Sequence, residues 1–454
     1  MNLKNKKVLV IGLGMSGFAA AVLANKAGAR VFVTENNSSE DIKRRAQNLE
    51  RNKIKVEING HSGQFLEGVE LAVISPGISR HAPFVKKQIL AHGIPVISEI
   101  ELAFAFCKSS KLIAVTGTNG KSTTAQLIGH IFKKAGREVT VCGNIGIPFS
   151  SCVEKITRDA IVVLEVSSYQ LDVIKDFRPY LSIILNITED HLDRYSSMHD
   201  YTLAKTRIFK NQTKEESCII NFDDERLKAF LPHIKAGIKF FSLFNQKADC
   251  FTARNEIFLK KDTKPTSICR LDNLPFGQRH NIENTLASIL AASFFFEDFG
   301  FLKKAISTFN PLHHRTEFIA SIKGIDFVDD SKATNVDATR RALESLDKNI
   351  ILICGGRNKK SDFNKIKKVA ADKIKLAIAI GEAGGEIVSA FKGLVKTELA
   401  DTLRTATRLA FKEASEGDCV LLSPMCSSFD MFKDYQDRGR CFRKYVLEIK
   451  KKIK

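Results

Sequence analysis

Residues Leu112–Thr124 read LIAVTGTNGKSTT, an apolar run that passes directly into a loop turned by Gly117 and Gly120 and closed by Lys121 and Ser122. That order, strand then glycine loop then helix, is the layout of a nucleotide phosphate site. The glycines let the backbone turn its N–H groups inward, Lys121 can reach β and γ phosphates, and the Ser122 hydroxyl can ligate magnesium. A helix over 122–135 would place its positive dipole end on the same anion. The general spacing of such loops wants a glycine where Val115 stands, so this is a shortened variant. A plain strand–turn–helix is the competing reading, and the flanking context favours the phosphate site.

Working outward, 454 residues are too many for one ordinary core and predict about three domains. An apolar fraction of 44% with 27% charged residues is that of a water-soluble globular chain, with no fixed-period repeat. Ten cysteines are scattered without a CxxC pair or zinc spacing, which points to small buried hydrophobes in a reducing compartment and to a cytoplasmic location. The apolar run Val8–Ala24 behind Lys4, Lys6 and Lys7 imitates a secretory signal, but Gly12, Gly14 and Gly17 interrupt it where a βα turn needs them. No other segment is long enough to span a bilayer, so no membrane insertion is expected. Net charge is +19. Its lysines are spread along the chain without interleaved aromatics, so a solvated basic surface is favoured over nucleic-acid binding.

Three α/β units follow from the strand pattern. Residues 1–108 alternate KKVLVIG, ARVFVT, LAVIS and IPVIS with helices, as in a doubly wound, Rossmann-like sheet. Its GLGMSG, Gly12–Gly17, with Glu35 at the end of the second strand, reads equally as a dinucleotide site and as an unliganded packing turn. Residues 109–311 carry the phosphate loop and the strands EVTVC, AIVVLEVSS, LSIILN and ESCIIN, consistent with a central P-loop ATPase-type parallel sheet buried on both faces; RHNIENTLAS starts a helix, and Pro311 marks the boundary. Residues 312–454 restart with GIDFVDDS, NIILICGG, IKLAIAIG and DCVLLSP and close on a long polar helix, a smaller Rossmann-like domain.

Several residues could carry chemistry. Glu165 interrupts an apolar strand near its carboxyl end, where magnesium on nucleotide phosphates would be a good partner and a neighbouring Arg or Lys the bland one. Glu189, Asp190, His191 and Asp193 crowd one loop, as metal ligands or as helix caps. Lys205, on the helix after it, is by default solvated. In the last unit Arg315 could swing over phosphates, Asp330 suits a ribose, and Lys332 and Thr334 suit anionic groups. The loops 355–363 and 422–435 are rich in donors for a small anionic substrate, although Ser427 and Ser428 before Asp430 also resemble a helix N-cap.

TGTNGKST, VDDSKATN, GGRNKKSDF and LLSPMCSSFDMFKDY, in this order, are similar to the D-glutamate-adding branch of the Mur ligase superfamily over essentially the whole chain. The alanine-adding branch would be expected to show a DDYAHHP-like segment and the diaminopimelate or lysine adders a DYAH-like one. The resemblance implies three domains binding, in order, the UDP of the substrate rather than NAD, ATP, and D-glutamate. It implies UDP-N-acetylmuramoyl-L-alanine contacts at Gly14, Ser16, Glu35, Asn36, Ser75, Asn144 and His191. ATP contacts are implied at Gly117, Thr118, Asn119, Gly120, Lys121, Ser122, Asn284, Arg315 and Asp330, and D-glutamate contacts at Thr334, Lys359, Ser428 and Tyr435. Two magnesium ions would be held by Ser122, Glu165, His191 and a carbamylated Lys205. The segment TENN, Thr34–Asn37, lacks an arginine that some relatives have.

The expected reaction is ATP-dependent amide formation in cytoplasmic peptidoglycan precursor synthesis, through an acyl phosphate, by a monomer acting on small molecules. Lys121, Lys332, His191 and Lys205 are its expected catalytic group, and closure of the third domain about a hinge near Pro311 is expected to complete the site. A nicotinamide dehydrogenase, resting on GLGMSG, and a non-catalytic nucleotide-dependent binding protein are the alternatives; neither accounts for the loops of the third unit.

Overall fold

The structure, a computed structural model, describes every residue except 145, 262, 263, 276–278, 311, 347, 348 and 454. The boundary and hinge expected at Pro311 therefore lie outside the described residues. The chain forms two compact units. One holds Met1–Ile187, His199–Gly277 and Asn281–Phe309; the other holds Thr188–Met198, Gln278–His280 and Asn310–Lys454. The last unit is thus built from three chain segments, not one continuous run.

The larger unit contains two sheets. In the first, β1 (Lys7–Ile11), β2 (Arg30–Thr34), β3 (Lys55–Glu57), β4 (Leu71–Ile74) and β5 (Val96–Ser98) are all parallel in the order β3-β2-β1-β4-β5. The order reverses beside β1, so the GLGMSG turn opens at the switch point where ligands of such sheets gather. The apolar run from Val8 is strand β1, this turn and the helix Met15–Lys26. A Cβ on Gly17 would lie 1.9 Å from the Gly12 carbonyl oxygen, so only glycine lets that helix pack this close to the strand.

The second sheet contains β6 (Leu112–Thr116), β7 (Val139–Gly143), β8 (Ile161–Glu165), β9 (Leu181–Ile184), β10 (Ser217–Asn221), β11 (Gly237–Ser242), β12 (Cys250–Ala253), β13 (Glu256–Lys261) and β14 (Lys264–Arg270), in the order β14-β13-β12-β11-β10-β9-β6-β8-β7. Strands β6, β8 and β9 are buried at every position, which is why their sequences are continuous apolar runs without alternation. The sheet is parallel up to β12, but β12, β13 and β14 form antiparallel hairpins, so the wholly parallel expectation fails at this edge. There β13 and β14 are part-exposed and rich in lysine, and the apolar signal is weak. Near the junction of the two sheets, Glu101 is buried because its carboxylate accepts the backbone N–H groups of Lys175, Asp176 and Phe177.

In the other unit β15 (Glu317–Ile322), β16 (Ile325–Asp329), β17 (Ile350–Gly355), β18 (Ile374–Ile380), β19 (Lys396–Leu399) and β20 (Cys419–Met425) form one sheet, in the order β15-β16-β20-β17-β18-β19, with β15 antiparallel to the rest. Period-two geometry divides β17 between two cores: Ile350, Leu352 and Cys354 enter one, Ile351 and Ile353 the other. Among the described residues no helix is long and apolar enough to cross a membrane.

Candidate active site

In the larger unit the loop after β6 is bent by Gly117 (φ 149°) and Gly120 (φ 87°), and the helix Lys121–Lys134 starts directly behind it. Asn186, at the end of β9, holds the loop open from below. Its carbonyl accepts the Thr118 N–H at 2.8 Å, its Oδ1 accepts the Asn119 N–H at 2.9 Å, and its Nδ2 donates to the Asn119 carbonyl at 3.1 Å. Thr118 Oγ1 and the Tyr201 hydroxyl lie 3.3 Å apart. Asn284 reaches in from helix Arg279–Ala292 and accepts from Thr124 Oγ1 at 3.2 Å. Lys121 Nζ donates to the carbonyls of Gly117 (2.9 Å) and Thr118 (2.7 Å), folded over its own loop at the place where phosphate oxygens would replace those acceptors.

Glu165 is 3% exposed at the end of β8. The one hydrogen bond to its carboxylate among the described residues comes from Asn144 Nδ2, at 3.1 Å, and no ion pair to it occurs there. The Arg or Lys partner that would make this an ordinary buried carboxylate is therefore absent from the described residues, and a buried anion served by one neutral amide suits a divalent cation. Ser122, buried in the first turn of the loop helix, is the second oxygen donor of this unit. Lys205 is corrected most: instead of being solvated it is 2% exposed, donates to the Gly117 carbonyl at 2.8 Å, and stands over the Tyr201 ring at 4.6 Å.

At the switch point of the first sheet Glu35 is tied down by two N–H donors, Leu13 at 2.6 Å and Asn37 at 2.8 Å. Ser75 Oγ donates to the Gly12 carbonyl at 3.0 Å, so it braces the turn. Gly14 borders open space, Ser16 is half-buried and Asn36 exposed. Arg45, which sequence reasoning did not single out, donates a guanidinium N–H to the Leu13 carbonyl at 3.2 Å.

In the other unit the acidic loop is not a set of helix caps. Asp190, buried, accepts from Lys359 Nζ at 2.8 Å and from Asn335 Nδ2 at 3.0 Å, and its Oδ2 lies 3.5 Å from His191 Nε2. Burial alone would raise its pKa, but the charges of Lys359 and His191 hold the carboxyl well below the usual range. Lys359 is accordingly an internal ion-pair partner and not part of a solvated lysine face. Glu189 pairs with Lys365. His191 takes a left-handed backbone (φ 58°). It belongs to this unit, whereas Ser122, Glu165 and Lys205 belong to the other, so the four expected metal ligands are divided between units.

Asp330 is pushed up to about 7, by burial first, with partial relief from the Ser423 hydroxyl and the Thr316 N–H and a further rise from Asp329. Arg315 is close enough to favour its ionised form. Lys332 Nζ stands 4.0 Å over the Tyr435 ring. Thr334 ends the same loop, its N–H bonded to the Lys332 carbonyl. Ser427 and Ser428 are not an N-cap: Ser427 forms a bridge with Arg357, donating Oγ to its carbonyl at 3.0 Å, and the next helix begins only at Tyr435.

One residue that sequence reasoning missed ties together three strand-end segments of this unit, at Ser331, Gly355 and Cys426. Arg438 is fully buried and donates to Ser331 Oγ (3.0 Å), the Ser331 carbonyl (2.9 Å), the Cys426 carbonyl (3.2 Å) and the Gly355 carbonyl (3.5 Å). Nothing local distinguishes it from the other arginines of the final helix; only its position one turn into that helix does.

Three family descriptions match the chain: "Mur ligase MurD-like, N-terminal domain" over residues 6–98, "Mur ligase middle domain" over 115–292, and "Mur ligase, glutamate ligase domain" over 314–426. A UDP-N-acetylmuramoylalanine--D-glutamate ligase of Caldicellulosiruptor bescii is 39% identical, with 99% of each chain covered. One from Acidobacterium capsulatum is 40% identical, covering 98% of this chain and 97% of its own. Among solved structures, the UDP-N-acetylmuramate-alanine ligase MurC of Thermotoga maritima superposes with a TM-score of 0.62 over 97% of this chain and 99% of its own, at 18% identity, a likeness of fold.

Proposed function

The chain belongs to the Mur ligase family and is an ATP-dependent amide ligase of peptidoglycan precursor synthesis; we propose that it joins the amine of D-glutamate to the alanyl carboxylate of UDP-N-acetylmuramoylalanine. The observation that carries the ATP chemistry is the glycine-turned loop in the same compact unit as Glu165, a buried carboxylate without a cationic partner among the described residues. The choice of D-glutamate is supported by the named relatives.

A carboxylate resists nucleophilic attack, so it must first acquire a leaving group. Its oxygen takes the γ-phosphoryl group of ATP, giving an acyl phosphate and ADP; the neutral amine then attacks the acyl carbon and inorganic phosphate departs. In this reading Lys121 exchanges the carbonyls of Gly117 and Thr118 for phosphate oxygens and neutralises charge as it moves, and Lys332 contributes a second neutralising cation. Ser122 and Glu165, with His191 and a carbamylated Lys205, would hold magnesium, which when bound supplies charge neutralisation at the phosphate oxygens. Gly117, Thr118, Asn119 and Gly120 form the loop that takes the phosphates, its shape held by the bonds of the Thr118 and Asn119 N–H groups to Asn186; Asn284, Arg315 and Asp330 hold the rest of the nucleotide. Gly14, Ser16, Glu35, Asn36, Ser75, Asn144 and His191 take the UDP substrate, and Thr334, Lys359, Ser428 and Tyr435 take D-glutamate. We assign these roles to domains 1–108, 109–311 and 312–454 of a cytoplasmic monomer.

Phosphate release from ATP and magnesium tests the reading. It is expected only when UDP-N-acetylmuramoylalanine and D-glutamate are both present. Release with L-alanine, L-glutamate or a diamino acid in place of D-glutamate, or with no amino acid, would contradict it.

A further inference from the structure

Arg315 is half-buried, and its guanidinium makes no hydrogen bond or ion pair among the described residues, so its place is set by the backbone that carries it. That backbone is unusual on both sides. His314 (φ 65°) and Thr316 (φ 47°) lie in the left-handed region, which a residue with a Cβ, and a β-branched one above all, occupies only where its neighbours enforce it. Here they do. The His314 N–H donates to Glu317 Oε2 at 2.9 Å, the Thr316 N–H to Asp330 Oδ1 at 3.1 Å, the Lys332 N–H to the His314 carbonyl at 3.1 Å, and the His314 ring, through Nδ1, to Asp329 Oδ2 at 2.6 Å.

Asp329 is buried at the end of β16, and its Oδ1 accepts the Ser331 N–H at 2.9 Å. The helix Tyr435–Ile453 packs directly on the His314–Asp329 pair at Gly439. A Cβ there would fall 2.2 Å from His314 Nδ1, 2.7 Å from its Cε1 and 2.8 Å from Asp329 Oδ2, so only glycine lets the helix and the pair meet. One turn earlier the same helix begins with Tyr435, whose ring meets the His314 ring edge-on with centroids 6.4 Å apart. His314, Glu317 and Asp329 bring ligand atoms within 4.8 Å of one another, as a metal site would. Each of their carboxylate oxygens, however, already takes a donor from the chain, Glu317 Oε1 that of Arg443 at 2.9 Å, so the cluster is a brace.

We propose that Asp329 and Gly439 are positioning residues: through the His314 ring they hold Arg315 and Tyr435 in one fixed arrangement, so that the nucleotide and the D-glutamate of the proposed reaction meet a single braced segment. The identity of the two ligands rests on the ligase reading; the brace rests on the geometry alone. Moving the ring disturbs both ends at once. On one side it frees His314 from the left-handed conformation that aims Arg315, and on the other it removes the edge against which Tyr435 is set. A loop already locked loses less conformational freedom when its arginine takes a ligand, which is what the brace contributes. Neither Asp329 nor Gly439 is a ligand contact, and both act through His314.

The test is steady-state phosphate release by the full-length chain, with ATP, D-glutamate and UDP-N-acetylmuramoylalanine varied in turn. In Gly439→Ala the KM values for ATP and for D-glutamate should both rise about tenfold while that for the UDP substrate stays within about twofold. Asp329→Asn, which keeps the shape and removes the charge, should raise the same two constants by about threefold and serves where Gly439→Ala folds poorly. Loss of folded protein alone lowers the apparent kcat and leaves every KM as it was. In His314→Ala the ring is gone, so adding Gly439→Ala should change neither KM by more than about twofold. A rise in only one of the two constants, no rise in either, an equal rise for the UDP substrate, or a further tenfold rise on the His314→Ala background would overturn the proposal. An unaltered protein that releases phosphate without needing D-glutamate would instead overturn the ligase reading, and the two failures are thereby told apart.

Discussion

Gly120→Ala tests the phosphate loop through its backbone alone. At φ 87° an alanine sits in the left-handed region, and its Cβ would fall 2.2 Å from Asn284 Oδ1, 3.1 Å from Asn284 Cγ and 3.2 Å from Leu185 Cδ1. The conformation costs about 1–2 kcal/mol for a residue with a Cβ. The contact with Oδ1 is more than an ångström too short, so Asn284 must swing away and lose its bond from Thr124, about 1 kcal/mol more. The sum, about 2–3 kcal/mol, falls on the loop shape needed for ATP and predicts a roughly 30- to 150-fold loss in kcat/KM for ATP. Gly136→Ala is the control: φ is 70°, but nothing lies within 4 Å of the added Cβ. It should cost about 1 kcal/mol of stability and leave ATP kinetics unchanged. The assay is steady-state phosphate release at varied ATP, with melting curves of both variants. Unchanged kcat/KM in Gly120→Ala, or an equal loss in Gly136→Ala, would refute the reasoning.

Lys121→Ala should cut phosphate release to below about a thousandth of normal while the melting temperature and far-UV spectrum stay unchanged; retained turnover removes the loop from the ATP site. Lys359→Met leaves Asp190 buried without its cation, a loss of about 3 kcal/mol. The melting temperature should fall by several degrees and recover in part when Asp190→Asn is added, and a double variant melting no higher than Lys359→Met contradicts the pairing. Asp330, raised from 3.8 to about 7, holds its proton more tightly folded than unfolded, so its contribution to stability is present at low pH and is lost as pH rises through that window. The melting difference between the unaltered protein and Asp330→Asn should therefore shift against the unaltered protein between pH 4 and 7 and level off above; a difference independent of pH refutes the assignment.

Much of the fold was legible because the relevant signals are local. LIAVT and IVVLE are continuous apolar runs, as strands covered on both faces must be, and glycines follow them where a turn needs positive φ or close approach. The hairpins β12–β14 escaped notice for the same reason: exposed on one face and rich in lysine, they carry little apolar pattern. Ser427 and Ser428 looked like a helix cap because the acceptor chemistry is identical; the bridge to Arg357 that replaces it comes from 70 positions away.

The site divides in the same way. By itself the sequence determined which residue types stand at strand ends: Lys121 and Ser122 behind a glycine turn, Glu165 closing an apolar strand, Asp330 and Lys332 behind another. Those placements depend on neighbours a few positions apart, and the α/β alternation is enough to read them. Only the tertiary structure decided what each group faces. Among the described residues Glu165 has an amide and no cation as partner; Lys205 is buried against the phosphate loop instead of solvated, Asp190 is held ionised by a lysine 169 positions away, and Arg438 gathers loops from 12 to 107 positions away. Charge state and reactivity depend on burial and on partners within a few ångströms, and distance along the chain does not encode either.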